Sequence, residues 1–299
     1  MAGLDALFHR QEPSWVEKII ANPVCSAARG LYHAWPPPVR NPPTTTSPLT
    51  LICISDTHNC QPHIPPGDLL VHAGDLTQSG SLSELQKTLD WLNTFPHTHK
   101  VVVAGNHDLF LDKDKSTTAA DRDGRDALKW GSLIYLQNSS TSLTFPGGRI
   151  LKVYGSPWTR KQGNWAFQYP RGEDRWSNTI PDNTDVLVTH SPPRFYLDLD
   201  GFGDENLLNE LWRVRPRVHV FGHIHAGYGQ DVLVFDKLQE VYERILKVQT
   251  LWALVWMLLL LFYSMVAGQT RRSKTPLINA SIVGGLHDDK MRSSTRLVI

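Results

Sequence analysis

Residues 49–58, LTLICISDTH, place a run of aliphatic and β-branched side chains directly before Asp56 and His58. A short apolar run of this kind is typical of a buried β-strand. The pattern recurs with other polar clusters: 68–73 before Gly74 and Asp75, 101–104 before Gly105, Asn106, His107 and Asp108, 186–189 before His190, and 218–221 before Gly222, His223 and His225. Because ligands of such sheets gather beyond the carboxyl ends of the strands, we expect all these clusters to point at one site.

The residue types in the clusters indicate a metal site with nitrogen and oxygen ligands. The chain has 13 His but only 3 Cys. The cysteines are too few and too scattered for a disulfide framework or a thiolate zinc site. Asp56 and His58 can converge on one cation, although such a tripeptide alone is usually a surface turn. Gly222 permits a turn that aims His223 and His225 inward, the alternative being an exposed loop with chance histidines. Together the clusters can bind two divalent ions, for which Mn, Fe or Zn suits better than Mg or Ca.

Length and charge narrow the class of protein. With 299 residues, 41% of them hydrophobic, the chain can fill a sizeable core. Thirty Lys and Arg against 29 Asp and Glu leave a formal charge of +1, so we expect no specific nucleic-acid binding. Met1 to Gln11 includes Asp5, His9 and Arg10 where a signal peptide needs an apolar core. These features predict a cytoplasmic protein without a signal peptide.

The N-terminal part divides into two segments. Residues 1–35 contain an amphipathic helix over 14–35, which Pro23 must kink or interrupt and which we expect to pack on the main domain. Residues 36–48 hold six prolines and predict an extended linker. The main domain is predicted over 49–299, with a hydrophobic insertion at about 240–274.

The rest of the main domain alternates strands with at least one helix. Ser81 and Glu84 have the spacing of a capping box, and Leu82, Leu85, Leu89 and Leu92 form one apolar face behind them. Further strands are predicted at 133–136, 142–145, 150–154, 230–235 and 277–283. This order predicts an α/β fold of mixed sheets flanked by helices.

Taken in order, the motifs Asp56-x-His58, Gly74-Asp75, Gly105-Asn106-His107-Asp108, His190 and Gly222-His223-x-His225 resemble those of calcineurin-like metallophosphoesterases. The resemblance spans about 49–235 and resumes at Leu277. Within that superfamily it points to the metallophosphoesterase-domain-containing (MPPED-type) branch through ISDTH at 54–58, GSPW at 155–158, PRGE at 170–173 and VFGHIH at 220–225. It implies a four-layer α/β/β/α sandwich of two mixed sheets.

The resemblance also implies a role for each motif residue. One metal would be held by Asp56, His58, Asp75 and His225, and the other by Asp75, Asn106, His190 and His223, with Asp75 bridging. Such a pair of ions, about 3.5–4 Å apart, activates a bridging water or hydroxide that attacks phosphorus in line. His107, the non-ligand, would protonate the leaving alkoxide, while Asp108 would orient it or cap the next turn. The implied reaction is hydrolysis of small phosphodiesters such as cyclic nucleotides.

Two differences from the family pattern, and four residues with two possible interpretations, bear on the substrate. Residues 76–78, Leu-Thr-Gln, differ from the phosphoprotein phosphatases, which disfavours protein dephosphorylation, and Ser191 stands where the branch usually has glycine. Every position that the resemblance expects is filled, so a pseudoenzyme is not indicated. Four residues of a loop-like stretch could face substrate, the alternative being core aromatics and a solvated arginine: Trp158, Trp165, Phe167 and Arg171.

Residues 248–268 form an uncharged run long enough to cross a bilayer. A transmembrane helix would separate the predicted strands at 277–283 and 295–299 from their sheet. We therefore favour a hydrophobic insertion that docks on the domain or lies in one membrane leaflet over a true span. The rival hypothesis for function is a membrane-associated metal- or nucleotide-binding scaffold with weak or no catalysis.

Overall fold

The computed structural model describes residues 14–34, 48–116, 118–199, 201–267, 273–284 and 291–299. The chain divides into two compact units, one of 42–232 with 275–299 and one of the described parts of 1–41 and 233–274. The proline-rich linker predicted over 36–48 lies outside the described residues except for Pro48. The domain boundaries stay a prediction.

The described residues form thirteen strands and seven α-helices. The strands are β1 (Thr50–Ile54), β2 (Leu69–Ala73), β3 (His99–Val103), β4 (Leu133–Tyr135), β5 (Ser139–Thr144), β6 (Ile150–Ser156), β7 (Thr159–Arg160), β8 (Gln168–Tyr169), β9 (Val186–Thr189), β10 (Val218–Phe221), β11 (Gly229–Val234), β12 (Lys274–Asn279) and β13 (Thr295–Val298). The helices are α1 (Trp15–Ala21), α2 (Pro23–Ala34), α3 (Leu82–Asn93), α4 (Ala119–Asp126), α5 (Glu205–Val214), α6 (Lys237–Val248) and α7 (Leu251–Ala267). Strand β12 begins and ends earlier than the predicted strand at 277–283, with which it overlaps.

Two mixed sheets form the centre of the larger unit. In the first, ordered β13-β1-β2-β3-β4, strands β1 to β4 run parallel and β13 runs antiparallel to β1. In the second, ordered β11-β12-β10-β9-β6-β5, strands β12, β10, β9 and β6 run parallel and β5 runs antiparallel to β6. The four-layer α/β fold with flanking helices is therefore confirmed.

The alternation of side chains along the strands explains the layers. Successive residues of a strand point to opposite faces, so one strand can serve two cores. Leu51 and Val71 of the first sheet belong to the same buried cluster as Val188 and Val220 of the second. Facing the other way, Ile52, Leu70 and Val102 pack with the apolar stripe of α3, which consists of Leu85, Leu89 and Leu92.

The predicted capping box begins helix α3. The Ser81 hydroxyl accepts a hydrogen bond from the Glu84 backbone N–H, and the Glu84 carboxylate accepts one from the Ser81 N–H. The other carboxylate oxygen of Glu84 accepts from the Asn59 side-chain amide at 2.7 Å. Asn59 follows Asp56 and His58, so the start of α3 is tied to the loop after β1.

The smaller unit contains the predicted N-terminal helix and the predicted insertion. Proline lacks a backbone N–H and fits the first position of a helix, so the segment 14–35 is split into α1 and α2 at Pro23. Helix α2 packs on α6, where the rings of Tyr32 and Tyr242 stack with centroids 4.2 Å apart. The Cys25 thiol lies 3.7 Å from the carbonyl oxygen of Ile245 in the same contact.

The transmembrane alternative for 248–268 is wrong for the part of the chain that the structure describes. No helix there is both long enough and apolar enough to cross a membrane. The uncharged run is divided because Gln249, with a φ of 54°, ends α6 in the left-handed conformation, and α7 has 17 residues. Contact of this segment with one leaflet stays a prediction, as does the cytoplasmic location.

Candidate metal centre

A first cluster of side chains forms where β1, β2 and β10 end. Asp56, His58, Asp75 and His225 each offer one ligand atom, and these atoms all lie within 4.8 Å of one another. Nε2 of His225 is 3.1 Å from Oδ1 of Asp56 and 3.3 Å from Nε2 of His58. Nε2 of His58 is in turn 3.7 Å from Oδ2 of Asp75.

A second cluster shares Asp75 with the first. Ligand atoms of Asp75, His190 and His223 also lie within 4.8 Å of one another. Nε2 of His190 is 3.3 Å from Oδ1 of Asp75 and 3.1 Å from Oδ1 of Asn106. One oxygen of the Asp75 carboxylate therefore faces each cluster.

The geometry of both clusters fits divalent cations. Nitrogen and oxygen ligands about 2.0–2.2 Å from a cation such as zinc lie about 3 Å from each other, close to the separations found here. Nδ1 of His190 donates to the Ala73 carbonyl at 2.9 Å, and Nδ1 of His225 donates to the Gly284 carbonyl at 3.2 Å. Because a carbonyl only accepts, Nδ1 carries the proton and the Nε2 lone pair faces the cluster.

The buried charges of the clusters also call for cations. Burial would raise the pKa of the Asp56 carboxyl, but His225, His190 and His58 hold that pKa well below its usual range. Burial would lower the pKa of His190 and of His225, but Asp75 and Asp56 respectively outweigh it and raise each pKa to about 9. The carboxylates thus stabilise positive charge, which a bound cation supplies in place of these protons.

Strained backbone positions carry several of these side chains. The φ angles of Asp56, His58, Asp75 and His223 lie between 45° and 67°. Non-glycine residues rarely adopt this left-handed region, and such strain concentrates at functional sites. Gly222 is needed for space rather than for the turn that the sequence suggested, because a Cβ there would lie 2.0 Å from Oδ2 of Asp56.

His107 lies beside both clusters without belonging to either. Its backbone N–H donates to Oδ1 of Asp75 at 2.8 Å, and its ring is edge-on to that of His58 with centroids 4.7 Å apart. Nδ1 of His107 donates to the Gln78 carbonyl at 2.8 Å, which leaves Nε2 available for proton transfer. The Trp165 ring stacks on the His107 ring with centroids 4.3 Å apart.

The same region carries the match to a known family. The family model described as "Calcineurin-like phosphoesterase" matches residues 49–227, which include β1 to β10 and both clusters. The chain belongs to the calcineurin-like phosphoesterase family. Members of this family hydrolyse phosphoric esters with the help of divalent metals.

Three curated relatives align with between 60% and 97% of this chain. "Probable rhamnogalacturonate lyase C" of Emericella nidulans is 42% identical over an alignment of 299 positions, which covers 97% of this chain and 28% of that protein. Metallophosphoesterase domain-containing protein 1 of Homo sapiens is 39% identical over 207 residues, 60% of this chain and 61% of that one. UPF0046 protein K07C11.7 of Caenorhabditis elegans is 37% identical over 211 residues, 64% of this chain and 69% of that one. The chain therefore spans under a third of the first relative and under two thirds of the second.

The structure brings together His107 and all seven predicted metal ligands, and their individual roles stay a prediction. Asp108 contacts neighbouring backbone groups, and among the described residues no hydrogen bond joins its carboxylate to the His107 ring. Its carboxylate accepts from the N–H groups of Gly105, Leu76 and Thr77 and from the Thr77 hydroxyl. Burial and the nearby Asp75 carboxylate raise the pKa of Asp108 to about 6.

The four residues that the sequence offered as substrate-facing have different surroundings. Phe167 is buried in the core beneath α3, and Trp158 packs partly buried against that core. Trp165 contacts His107, and Arg171 lines a cleft beside His223. The core interpretation therefore holds for Phe167.

Two groups that contact the clusters or His107 were not predicted from the sequence. The Ser281 hydroxyl donates to Oδ2 of Asp56 at 2.9 Å, and the Gln78 carbonyl orients His107. Ser281 lay within a predicted strand, whose pattern says nothing about contacts to a carboxylate. The Gln78 contact uses the backbone, so no residue type marks it.

Proposed function

We propose that this protein is a metal-dependent phosphodiesterase that acts on small phosphodiesters such as cyclic nucleotides. The observation that carries the proposal is the pair of clusters that share the Asp75 carboxylate. One ion is held by Asp56, His58, Asp75 and His225. The other is held by Asp75, Asn106, His190 and His223.

The ligand set favours Mn, Fe or Zn, because imidazole nitrogens stand beside carboxylate and amide oxygens. When bound, two such ions polarise a phosphoryl oxygen and supply a nucleophile at neutral pH. The Asn106 amide oxygen adds a ligand without adding charge, so Asp56 and Asp75 are the carboxylates of the centre. The negative charge of these two carboxylates is smaller in magnitude than the positive charge of two dications. The centre would therefore present a positive field to a phosphate group.

His107 acts on the leaving group. Its ring is held on one edge by the Gln78 carbonyl and on one face by Trp165. A protonated Nε2 stabilises the equatorial phosphoryl oxygens and gives its proton to the departing alkoxide.

The test is hydrolysis of bis-p-nitrophenyl phosphate by the full chain loaded with Mn²⁺. We expect turnover by the wild type and its loss in Asp75→Asn, because one substitution disturbs both clusters. Asp90→Asn is the matched control, since Asp90 lies on α3 and its carboxylate accepts only from the Gln86 side chain among the contacts described. Equal rates in wild type and Asp75→Asn would overturn the proposal.

A second candidate, a membrane-associated binding protein, is favoured by the exposed apolar face of α7. Trp252 is 84% exposed, Tyr263 68% and Phe262 67%. Exposed patches of this kind mark interaction sites, and aromatic side chains suit the lipid interface. The triple variant Trp252→Gln, Phe262→Gln, Tyr263→Gln is expected to lose flotation with anionic lipid vesicles. The control variant Ile150→Gln should float as the wild type does. Absence of flotation by the wild type would reject this candidate.

A further inference from the structure

A polar cleft opens beside the second cluster. Its wall includes Arg160, Gln162, Arg171, Ser191, Phe202 and His223. Of the predicted ligands and His107, His223 alone lines it among the described residues. None of the described lining residues is acidic. The cleft therefore adjoins the metal centre but has a chemistry of its own.

The two arginines come from one short ribbon. Strands β7 and β8 pair in parallel, with Arg160 opposite Tyr169. The Lys161 N–H then donates to the Tyr169 carbonyl at 2.8 Å, and Nε of Arg171 donates to the Lys161 carbonyl at 3.3 Å. The end of the ribbon thus places both guanidinium groups at the same cleft.

The ribbon is braced against the loop that carries Phe202. An Arg160 guanidinium nitrogen donates to the Gly203 carbonyl at 3.2 Å. The Tyr169 hydroxyl donates to the Asp204 carboxylate and accepts from the Trp176 indole N–H. Tyr169 and Trp176 are buried, so these contacts hold the cleft in a defined shape.

Most of the donors of the two guanidinium groups are not used by the described residues. Each guanidinium has five N–H donors, and one hydrogen bond from each group is recorded within the described part of the chain. Neither group forms an ion pair with a described residue. Paired guanidinium groups with free donors match the planar oxygens of phosphate.

We infer that this cleft binds a second phosphate group of the substrate. The inference rests on the proposed function: the scissile diester occupies the two clusters while the further phosphate lies between Arg160 and Arg171. Ser191, which is 2% exposed, lines the cleft and directly follows His190 of the second cluster. The preferred substrate class is thus a phosphodiester that carries an additional phosphate, such as a nucleoside bisphosphate ester.

Two nucleotide esters with the same leaving group test the inference. Thymidine 5′-(p-nitrophenyl phosphate) has only the diester, and its 3′-phosphorylated form adds one phosphate. We expect the Mn²⁺-loaded wild type to show a kcat/KM at least about 10-fold higher for the 3′-phosphorylated ester, as hydrogen bonds between charged groups provide. The double variant Arg160→Gln, Arg171→Gln should show equal kcat/KM for both esters while keeping the wild-type value for the simple one.

The control is Arg175→Gln. Arg175 follows the same ribbon but pairs with Glu173 at 2.6 Å and lies over the Trp158 ring, outside the cleft. It should leave the preference intact. A wild type without preference, or an equal loss for both esters in the double variant, would overturn the inference, the latter because the arginines would then act on the scissile phosphate.

A binding measurement keeps the inference apart from the proposed function. Calorimetry compares thymidine 3′,5′-bisphosphate with thymidine 5′-monophosphate on the metal-loaded chain, which requires no hydrolysis. We expect tighter binding of the bisphosphate by about 10-fold and loss of the difference in the double variant. Equal affinities in the wild type refute the second phosphate site even if the diester is hydrolysed. A preserved difference without any hydrolysis would instead refute the phosphodiesterase alone.

Discussion

The indole of Trp165 stacks on the imidazole of His107, with planes inclined by 25° and centroids 4.3 Å apart. The face of His107 is thereby covered while its Nδ1 edge is held by Gln78. Rotation about the side-chain bonds of His107 is restricted from two directions. Trp165 is therefore a positioning residue for the proposed proton donor.

Replacing Trp165 by leucine should slow reactions that need a proton at the leaving oxygen. We expect kcat to fall about 10-fold with a 2′,3′-cyclic nucleotide, whose leaving group is an alkoxide, as part of the 10²–10⁴-fold that general acids contribute. With bis-p-nitrophenyl phosphate the change should be small, since p-nitrophenolate leaves without a proton. Trp165→Phe should restore the rate, and Trp165→Leu should add nothing to His107→Ala. A uniform loss with both substrates would contradict the positioning role.

Adding one methyl group at Gly222 should disturb the first cluster. A Cβ there would meet Oδ2 of Asp56 at 2.0 Å and Oγ of Ser55 at 2.1 Å, so the Asp56 carboxylate must move. A shift of about 1 Å can reduce turnover by about 100-fold. Gly222→Ala should show this loss and retain less Mn²⁺ after desalting, as measured by elemental analysis. Gly30→Ala, where nothing lies within 4 Å, is the control, and full metal content in Gly222→Ala would refute the argument.

Removal of metal should lower thermal stability. A ligand present at 100 times its Kd stabilises the folded state by about 2.7 kcal/mol, which corresponds to a Tm shift of at least about 5 °C for a chain of this size. Scanning fluorimetry with Mn²⁺ and with a chelator should show this shift in the wild type. The shift should vanish in Asp75→Asn, and an equal shift in that variant would place the bound metal elsewhere.

Acid should destabilise the chain through a buried histidine away from the ligands. His219 is fully buried, its Nε2 is 2.7 Å from the Thr189 hydroxyl, and burial lowers its pKa to about 3. Its folded pKa lies below the unfolded value of about 6.5, so the unfolded state binds the proton and stability falls below pH 6.5. The loss is about 1.4 kcal/mol per pH unit, or about 2 kcal/mol at pH 5.

His219→Gln keeps a polar side chain beside Thr189 and removes this titration. Denaturant unfolding at pH 7.5 and pH 5, with a chelator in both buffers, should show a smaller acid effect in the variant by about 2 kcal/mol. The same pH dependence in both proteins would show that His219 does not titrate as burial requires.

The strands that carry the site could be predicted because each leaves two independent marks in the sequence. In β1 the buried run 51–54 gives the strand, and Asp56 at its end gives the chemistry. Parallel pairing of β1 and β2 then brings Asp56 and Asp75 to one edge. Asp75 and His190 lie together because β2 and β9, from different sheets, face each other across the core that contains Val71 and Val188.

Contacts made by side chains across loops were harder to predict from the sequence. The sequence placed Trp165 near the site but could not distinguish a ring that faces substrate from one that faces His107. Helix α6 was counted within a hydrophobic insertion, although Leu238, Val241, Tyr242 and Ile245 have helical spacing and are buried. By hydropathy alone, the 21-residue uncharged run at 248–268 is long enough for a membrane span. Hydropathy does not detect a helix end such as the one at Gln249.

The hydrogen bond between Asn59 and Glu84 links two events that would otherwise be independent. Fraying of the first turn of α3 frees the Glu84 carboxylate and so removes one hydrogen bond from the loop that carries Asp56 and His58. Local opening of the helix start is therefore coupled to loosening of the loop. We therefore expect ion binding at the first cluster to slow amide hydrogen exchange at the beginning of a helix that contributes no predicted ligand.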